Sequence, residues 1–172
     1  MTTPAAPLLD RLDTTVCVLT TAHEGTPAGC IVTYVTPASL HAERPRLVVL
    51  TSHENLTHEF LEAGGALVLH PVARGQEEWV ERFGFQSGRD VDKFAGLAWE
   101  PGETGAPVLA GALGWIEGRV LATMNCGDHT ARLVEPVAVT LRDPAAVPLR
   151  AAEVYAGGLD DPRAPALFPW RT

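Results

Sequence analysis

The fold of this chain is decided by the stretch Ala28-Gly29-Cys30-Ile31-Val32-Thr33-Tyr34-Val35-Thr36-Pro37-Ala38-Ser39, which continues through Leu47-Val48-Val49-Leu50 into Thr51-Ser52-His53-Glu54-Asn55-Leu56-Thr57. The pattern predicts a β-strand that ends in small hydroxyl residues, a turn, a buried strand and the start of a helix. A helix start exposes unpaired backbone N–H groups at the positive end of the helix dipole. We therefore expect this stretch to form a site for a phosphate or another anion.

The composition limits the classes of partner. The 172 residues are 46% hydrophobic, carry a formal charge of −8 and include a single lysine, Lys93. Nucleic acids and anionic membranes bind clustered Lys and Arg, so neither is expected as a partner. No apolar run approaches the length of a membrane span. Three cysteines without a C-x-x-C pair indicate free thiols in a reducing compartment, and we expect a cytoplasmic protein.

The remaining patterns predict a mainly β domain with peripheral helices. Runs of β-branched and apolar residues predict further strands at Thr14–Thr21, Ala66–His70, Leu113–Met124 and His129–Leu141. A helix capped by Thr51 or Ser52 is expected to end at Gly64-Gly65, and a second helix covers Gln76–Phe83. The proline and two glycines of Trp99–Gly105 predict a long flexible connection. This organisation places one domain at residues 11–143, between a flexible tail at residues 1–10 and a Pro/Ala-rich extension at residues 144–172.

The connections between strands favour a barrel. Tight turns join the first two strands and the last two strands, which indicates antiparallel hairpins. Short strands with helices inserted at intervals favour a small closed β-barrel. No G-x-G-x-x-G follows a strand, so a Rossmann nucleotide site is not expected. His53 and His58 are five positions apart, without the spacing that puts two imidazoles on one helix face, and we expect no metal site.

Several short motifs follow one another along the chain: Gly29–Ser39, Leu47–Leu50, Asn55 with Thr57, Glu81-Arg82-Phe83, Asp92-Lys93-Phe94, Pro107-Val108-Leu109 and Gly127-Asp128-His129-Thr130. Over roughly residues 11–141, their order and spacing resemble the flavin reductase-like family of FMN-binding split barrels. The resemblance implies a homodimer of Greek-key split β-barrels that binds FMN, or alternatively FAD, near the subunit interface. The implied reaction is hydride transfer from NADH or NADPH to the flavin, which then reduces oxygen, a partner oxygenase or another acceptor.

The resemblance also implies the residues of the site. The flavin ring would lie along the end of the second strand and the loop after it, at Ile31, Val32, Thr33, Tyr34, Thr36, Ala38 and Ser39. The ribityl chain and phosphate would meet Ser52, His53, Asn55 and Thr57, and a loop from Phe83 to Arg89 would cover them. His129 would contact the nicotinamide or substrate. Since flavin N5 accepts the hydride, the protein needs to supply orientation, hydrogen bonds and exclusion of water rather than an acid or a base.

Simpler roles stay open for the same side chains. These roles are a helix cap for Ser52, a solvated helix face for Asn55 and Thr57, core packing for Tyr34 and a solvent-exposed cation for Arg89. Many relatives have Thr-Ala-Asn-Ser where this chain has Ile31-Val32-Thr33-Tyr34, so fewer hydroxyls would face the flavin. The alternative function is a flavin-binding electron carrier or flavin-storage protein without turnover of its own.

Overall fold

The computed structural model describes residues 12–156, and the tail predicted at residues 1–10 lies outside this range. The strands, in chain order, are β1 (Cys17–His23), β2 (Thr26–Val32), β3 (Val35–Pro37), β4 (Leu47–Ser52), β5 (Ala66–Pro71), β6 (Trp99–Pro101), β7 (Pro107–Leu109), β8 (Gly114–Asn125) and β9 (His129–Leu141). The helices are α1 (Leu56–Gly64), α2 (Glu77–Gly84) and α3 (Ala151–Ala156). The predicted mainly β class is confirmed.

Seven of these strands form one antiparallel sheet in the order β2-β1-β5-β8-β9-β4-β3. Both predicted hairpins are present, because β1 pairs with β2 and β8 pairs with β9. Glu24 and Gly25 turn the first hairpin with positive φ at both positions, which matches the twist of the flanking strands. On its other side β9 pairs with β4, so that Ser52 lies opposite His129. The end of β4 is therefore fixed beside the turn that leads into β9.

The sheet closes on itself. Strands β2 and β3 stand at opposite ends of the sheet order, yet Thr33 and Tyr34 alone separate them in the chain. Three residue steps span at most about 11 Å, so the two edges of the sheet meet. The predicted barrel is confirmed, with Thr33 and Tyr34 at its seam. The sequence pattern had predicted one strand through to Ser39, and this is wrong because the chain leaves one edge of the sheet at Val32 and joins the other at Val35.

Two apolar clusters attach the helices to the sheet. The first packs Leu61 of α1 with Leu19 and Val49 of the sheet. The second contains Phe83 of α2 and Val154 of α3, so these two helices share one apolar cluster. Helix α3 lies in the extension predicted from residue 144, where no helix is expected from the sequence. Val16, which precedes β1, and Val154 of α3 therefore pack in the same cluster as α2.

The predicted capping of α1 by Thr51 or Ser52 is wrong. The helix begins at Leu56 with Asn55 as its N-cap residue. Thr51 stays in β4 because its backbone pairs with Thr130, and its buried hydroxyl accepts a hydrogen bond from the Arg132 guanidinium. The predicted end of the helix is confirmed, since Gly65 follows in the left-handed conformation with φ of 66°.

The flexible connection predicted at Trp99–Gly105 is also wrong. Its first residues form β6, which pairs with β7 in a separate two-stranded hairpin. The turn of this hairpin is held by the buried carboxylate of Glu117, which accepts hydrogen bonds from the backbone N–H groups of Glu103 (3.0 Å) and Thr104 (2.5 Å). A carboxylate that accepts two backbone N–H groups gives fixed geometry to a segment whose glycines alone would indicate mobility.

Candidate functional site

A cavity of about 360 Å³ lies at the seam of the barrel. Its volume is within the range of small-molecule pockets. Of the residues predicted to bind flavin or nicotinamide, it is lined by Ile31, Val32, Thr33, Tyr34, Ser52, Asn55, Phe83 and His129. These residues come from the seam, the end of β4, the start of α1, helix α2 and the start of β9. The barrel closure therefore assembles most of the predicted ring site from distant parts of the chain.

A larger cavity of about 1080 Å³ adjoins the first, and Glu54, Asn55 and Gly84 line both. The start of α1 contributes Thr57 to its wall, and the loop after α2 contributes residues 86–93. The smaller cavity is lined by apolar side chains of β2 and α2, whereas the larger one is bordered by the polar loop. Together they offer space for a ligand with a flat apolar body and a charged chain.

The start of α1 presents polar groups where the two cavities meet. Asn55 has extended backbone dihedrals and makes no side-chain capping hydrogen bond, so its amide is not used to hold the helix. Thr57 is buried and hydrogen-bonded with the Cys30 thiol, whose pKa is raised by burial. The first backbone N–H groups of a helix lack partners within the helix. This helix start therefore has the donors that an anionic ligand requires.

His129 is held in a defined orientation at the smaller cavity. Its Nδ1 lies 2.8 Å from Asp128 Oδ1. Because an ionised carboxylate only accepts, Nδ1 carries the proton, and this hydrogen bond holds the pKa of Asp128 below its usual value. The Tyr34 ring packs edge-on against the imidazole, with ring centroids 5.8 Å apart. The two contacts fix the imidazole against the seam, with Nε2 as the nitrogen left for a ligand.

Lys93 belongs to the larger cavity, although it was not among the predicted site residues. Its ammonium is buried and donates hydrogen bonds to the backbone oxygens of Gly29 (3.1 Å) and Phe83 (2.9 Å). Arg82 in turn donates to the backbone oxygens of Lys93 and Ala95, which fixes this turn. A sequence signal was available, since Lys93 is the chain's single lysine and lies in a motif of the resemblance. The lysine places a positive charge beside the helix start.

Arg89 lines the larger cavity, but its guanidinium is paired. Its two terminal nitrogens lie 2.7 and 3.4 Å from the carboxylate oxygens of Glu59 on α1. This contact lowers the pKa of Glu59. Both side chains are exposed, so the ion pair contributes little to stability. It joins the loop after α2 to α1 at the border of the larger cavity.

Four predicted site residues lie outside both cavities. Thr36 and Ala38 are exposed beyond the seam. The Ser39 hydroxyl donates to Arg44 O and accepts from Arg46 N–H, so it holds the loop between β3 and β4. His53 is hydrogen-bonded through Nε2 with Thr130 Oγ1 at 3.0 Å. The polar groups of the site therefore come from the seam, the end of β4, the helix start, the loop after α2 and the start of β9.

Three further observations concern the described residues. In residues 12–156, no three His, Cys, Asp or Glu side chains are grouped as metal ligands would be. No helix in this part of the chain has the length and apolar character needed to cross a membrane. Cys17, Cys30 and Cys126 are all free thiols.

The closed sheet, the cavity at its seam and the polar helix start define a split-barrel protein with a nucleotide-sized cleft. This chain belongs to the flavin reductase-like family, since the family model described as "Flavin reductase like domain" matches residues 9–157. The resemblance seen in the sequence is confirmed. The match covers every strand and helix described above.

Individual relatives agree with this assignment. The chain is 30% identical over 122 residues to HsaB of Mycobacterium tuberculosis, the reductase subunit of a flavin-dependent monooxygenase, covering 71% of this chain and 63% of HsaB. It is 30% identical over 133 residues to RutF of Stutzerimonas stutzeri, an FMN reductase (NADH), covering 77% of this chain and 75% of RutF. Among solved structures, the NADH:FAD oxidoreductase SgcE6 of Streptomyces globisporus has a TM-score of 0.74 at 27% identity, covering 83% of each chain.

The extent of these matches is uneven. The chain spans 40 to 63% of the length of several curated relatives, HsaB among them. SgcE6 is also known in complex with NAD and FAD fragments.

Proposed function

We propose that this protein is an NAD(P)H-dependent flavin reductase that binds FMN, with FAD as the alternative flavin. The observation that carries the proposal is the pair of joined cavities, one lined mainly by apolar groups at the barrel seam and one at a helix start. Relatives named as an FMN reductase and an NADH:FAD oxidoreductase support the same chemistry. Bound flavin supplies an N5 atom that accepts hydride from the nicotinamide.

The residues present fit such a cofactor. The smaller cavity would hold the ring between the seam residues Thr33 and Tyr34 and the side chain of Phe83. The larger cavity would hold the phosphate, with Asn55 and Lys93 as its polar and charged neighbours. Binding of a negative group by an amide, a buried ammonium and helix N–H groups is compatible with the chain's net charge of −8, because local donors determine the site's potential.

His129 is proposed to orient the nicotinamide against the flavin. The Asp128 carboxylate and the edge of Tyr34 hold the imidazole at the smaller cavity. No group in this scheme transfers a proton to the reacting carbon, and the residues contribute orientation and exclusion of water. Correct placement of two reactants is itself a large part of the rate of such a reaction.

We further propose a homodimer and a partner oxygenase. The hairpin of β8 and β9 exposes apolar side chains at Leu121, Met124, Val139 and Leu141, which a second copy could cover. HsaB is the reductase subunit of a monooxygenase, which supports an oxygenase as the acceptor of the reduced flavin. A cytoplasmic location is proposed from the three free cysteines.

The deciding assay is steady-state oxidation of NADH and of NADPH, with and without added FMN. A flavin reductase accelerates the oxidation only when flavin is present, and comparison of the two nucleotides gives the preferred donor. Flavin binding without acceleration by either nucleotide would overturn the proposal in favour of a flavin carrier or store. Absence of both binding and acceleration would overturn both candidates.

Replacement of Asn55 by alanine is expected to weaken FMN binding about tenfold and riboflavin binding much less. FMN has the phosphate, and a hydrogen bond to a charged group is worth about 1.5–3 kcal/mol. Because the Asn55 side chain makes no capping hydrogen bond, the substitution removes a ligand contact without removing a helix cap. Fluorescence titration with both flavins measures the two dissociation constants. An equal loss for FMN and riboflavin would show that the helix start does not bind the phosphate.

A further inference from the structure

One end of the smaller cavity is apolar and includes a residue from near the C-terminal limit of the described chain. Val16, Val80, Phe85 and Val154 line this end. Val154 belongs to α3 and is 9% exposed, and it packs in the same cluster as Val16, Val80 and Phe85. Helix α3 follows the last strand of the barrel, so the chain returns to the cavity after the barrel is complete.

Helix α3 is held firmly in this place. The Asp13 carboxylate accepts hydrogen bonds from the Ala152 backbone N–H (2.9 Å) and from Arg150 Nε (3.0 Å). Arg150 also donates to the Thr15 hydroxyl at 3.0 Å. The backbone N–H of Ala151 donates to Thr14 O at 2.8 Å. The position of Val154 is therefore set by bonds to the segment before β1 as well as by apolar packing.

The rest of the lining includes polar groups. The hydroxyls of Thr33 and Ser52 are among them. An isoalloxazine ring has the same asymmetry, because its pyrimidine edge carries carbonyl and N–H groups and its dimethylbenzene edge is apolar. If the pyrimidine edge faced the α3 end, its carbonyl and N–H groups would have no hydrogen-bond partners there. The dimethylbenzene edge is therefore placed at the α3 end.

We propose that Val154 is a specificity-determining residue, which sets the size of the substituents that this site accepts on the dimethylbenzene edge of the flavin. The inference rests on the proposed function. It assigns to α3, which lies outside the barrel strands, a direct contact with the flavin ring. The two methyl groups of a natural flavin fit beside the valine, and a bulkier group at this edge collides with it.

The test uses the full chain and two flavins in their 5′-phosphate forms. FMN has a methyl group at ring position 8, and its analogue roseoflavin 5′-phosphate, called roseoflavin below, has a dimethylamino group there. Fluorescence quenching or calorimetry gives both dissociation constants for the unmodified protein and for Val154→Ala and Val154→Trp. Ala152→Trp is the matched control, because it introduces the same side chain at an exposed position of the same helix.

Val154→Ala is expected to shift the ratio of the two dissociation constants about tenfold in favour of roseoflavin, because the removed methyl groups make room at position 8. Val154→Trp is expected to weaken both flavins about tenfold or more by filling the apolar end, whereas Ala152→Trp leaves both within about twofold. An unchanged ratio in Val154→Ala overturns the inference even where Val154→Trp fails to fold. If the unmodified protein binds neither flavin, both the inference and the proposed function fail. Normal binding of both flavins with an unchanged ratio would overturn the inference and leave the proposed function in place.

Discussion

Replacing His129 with alanine is expected to slow reduction of bound FMN by NADH about 100-fold, with less than about a threefold change in FMN affinity. The imidazole is fixed by Asp128 and Tyr34 at the cavity where the nicotinamide has to meet the ring. Its loss leaves the flavin's other contacts in place, so orientation of the hydride donor suffers more than flavin binding. Anaerobic stopped-flow absorbance measures the reduction rate, and fluorescence titration measures the affinity.

His41→Ala is the control for this experiment. His41 is exposed in the loop between β3 and β4 and lines neither cavity. We expect NADH to reduce FMN bound to His41→Ala at the same rate as FMN bound to the unmodified protein. Equal losses of rate and affinity in His129→Ala would assign the imidazole to flavin binding rather than to the nicotinamide. An unchanged reduction rate would remove His129 from the site.

The second large effect concerns the dependence of stability on pH. His70 is fully buried in β5, where its Nε2 accepts a hydrogen bond from the Leu109 N–H (3.1 Å) and its Nδ1 lies 3.3 Å from Val18 O. The Nδ1 atom therefore carries the proton of a neutral imidazole. Burial lowers the pKa of His70 from 6.5 to about 4. Protonation would place an uncompensated charge in the core and lose the bond from Leu109.

The sign of the effect follows from this pKa. Between pH 6.5 and about 4 the unfolded chain binds the His70 proton and the folded chain does not, so stability falls as the pH falls through this window. A pKa lowered from 6.5 to about 4 corresponds to about 3 kcal/mol of unfolding free energy, which is fully present above pH 6.5. Several carboxyl groups also have lowered pKa values, so a comparison with a variant is needed to isolate the histidine.

Between pH 7 and pH 4, the unmodified protein is expected to lose about 3 kcal/mol more of its unfolding free energy than His70→Gln does. The glutamine does not titrate, so its own destabilisation is present at every pH and cancels from the slope. Urea unfolding followed by circular dichroism at several pH values measures the slope, and His41→Gln serves as the exposed control. Identical pH slopes for His70→Gln and the unmodified protein would mean that His70 has the same pKa in the folded chain as in the unfolded chain.

The elements predicted from the sequence were those whose signal is local. The pair Gly64-Gly65 ended α1 as predicted, since the left-handed conformation of Gly65 depends on that residue alone. The first hairpin along the chain, β1 with β2, and the last one, β8 with β9, were likewise predicted from their turn residues. The family resemblance predicts Thr33 and Tyr34 at the ring site, and the structure places them at the barrel seam, where they line the smaller cavity.

The features that were missed depend on distant partners. Thr51 has the sequence spacing of a capping residue, but pairing with Thr130 keeps it in a strand. The turn after β6 is ordered by Glu117, which nothing in the local sequence indicates. Lys93 and Val154 reach the cavities only because α2 and α3 pack on the barrel. Such contacts are set by tertiary packing, and a single sequence does not reveal them.

The central claim is that the joined cavities hold one flavin, with its ring at the barrel seam and its phosphate at the start of α1. The most direct measurement is a crystal structure of the full chain soaked in FMN. The account predicts ring density beside Thr33, Tyr34 and His129 and phosphate density near Asn55 and Lys93. Empty cavities at saturating FMN, or flavin bound elsewhere on the protein, would contradict it.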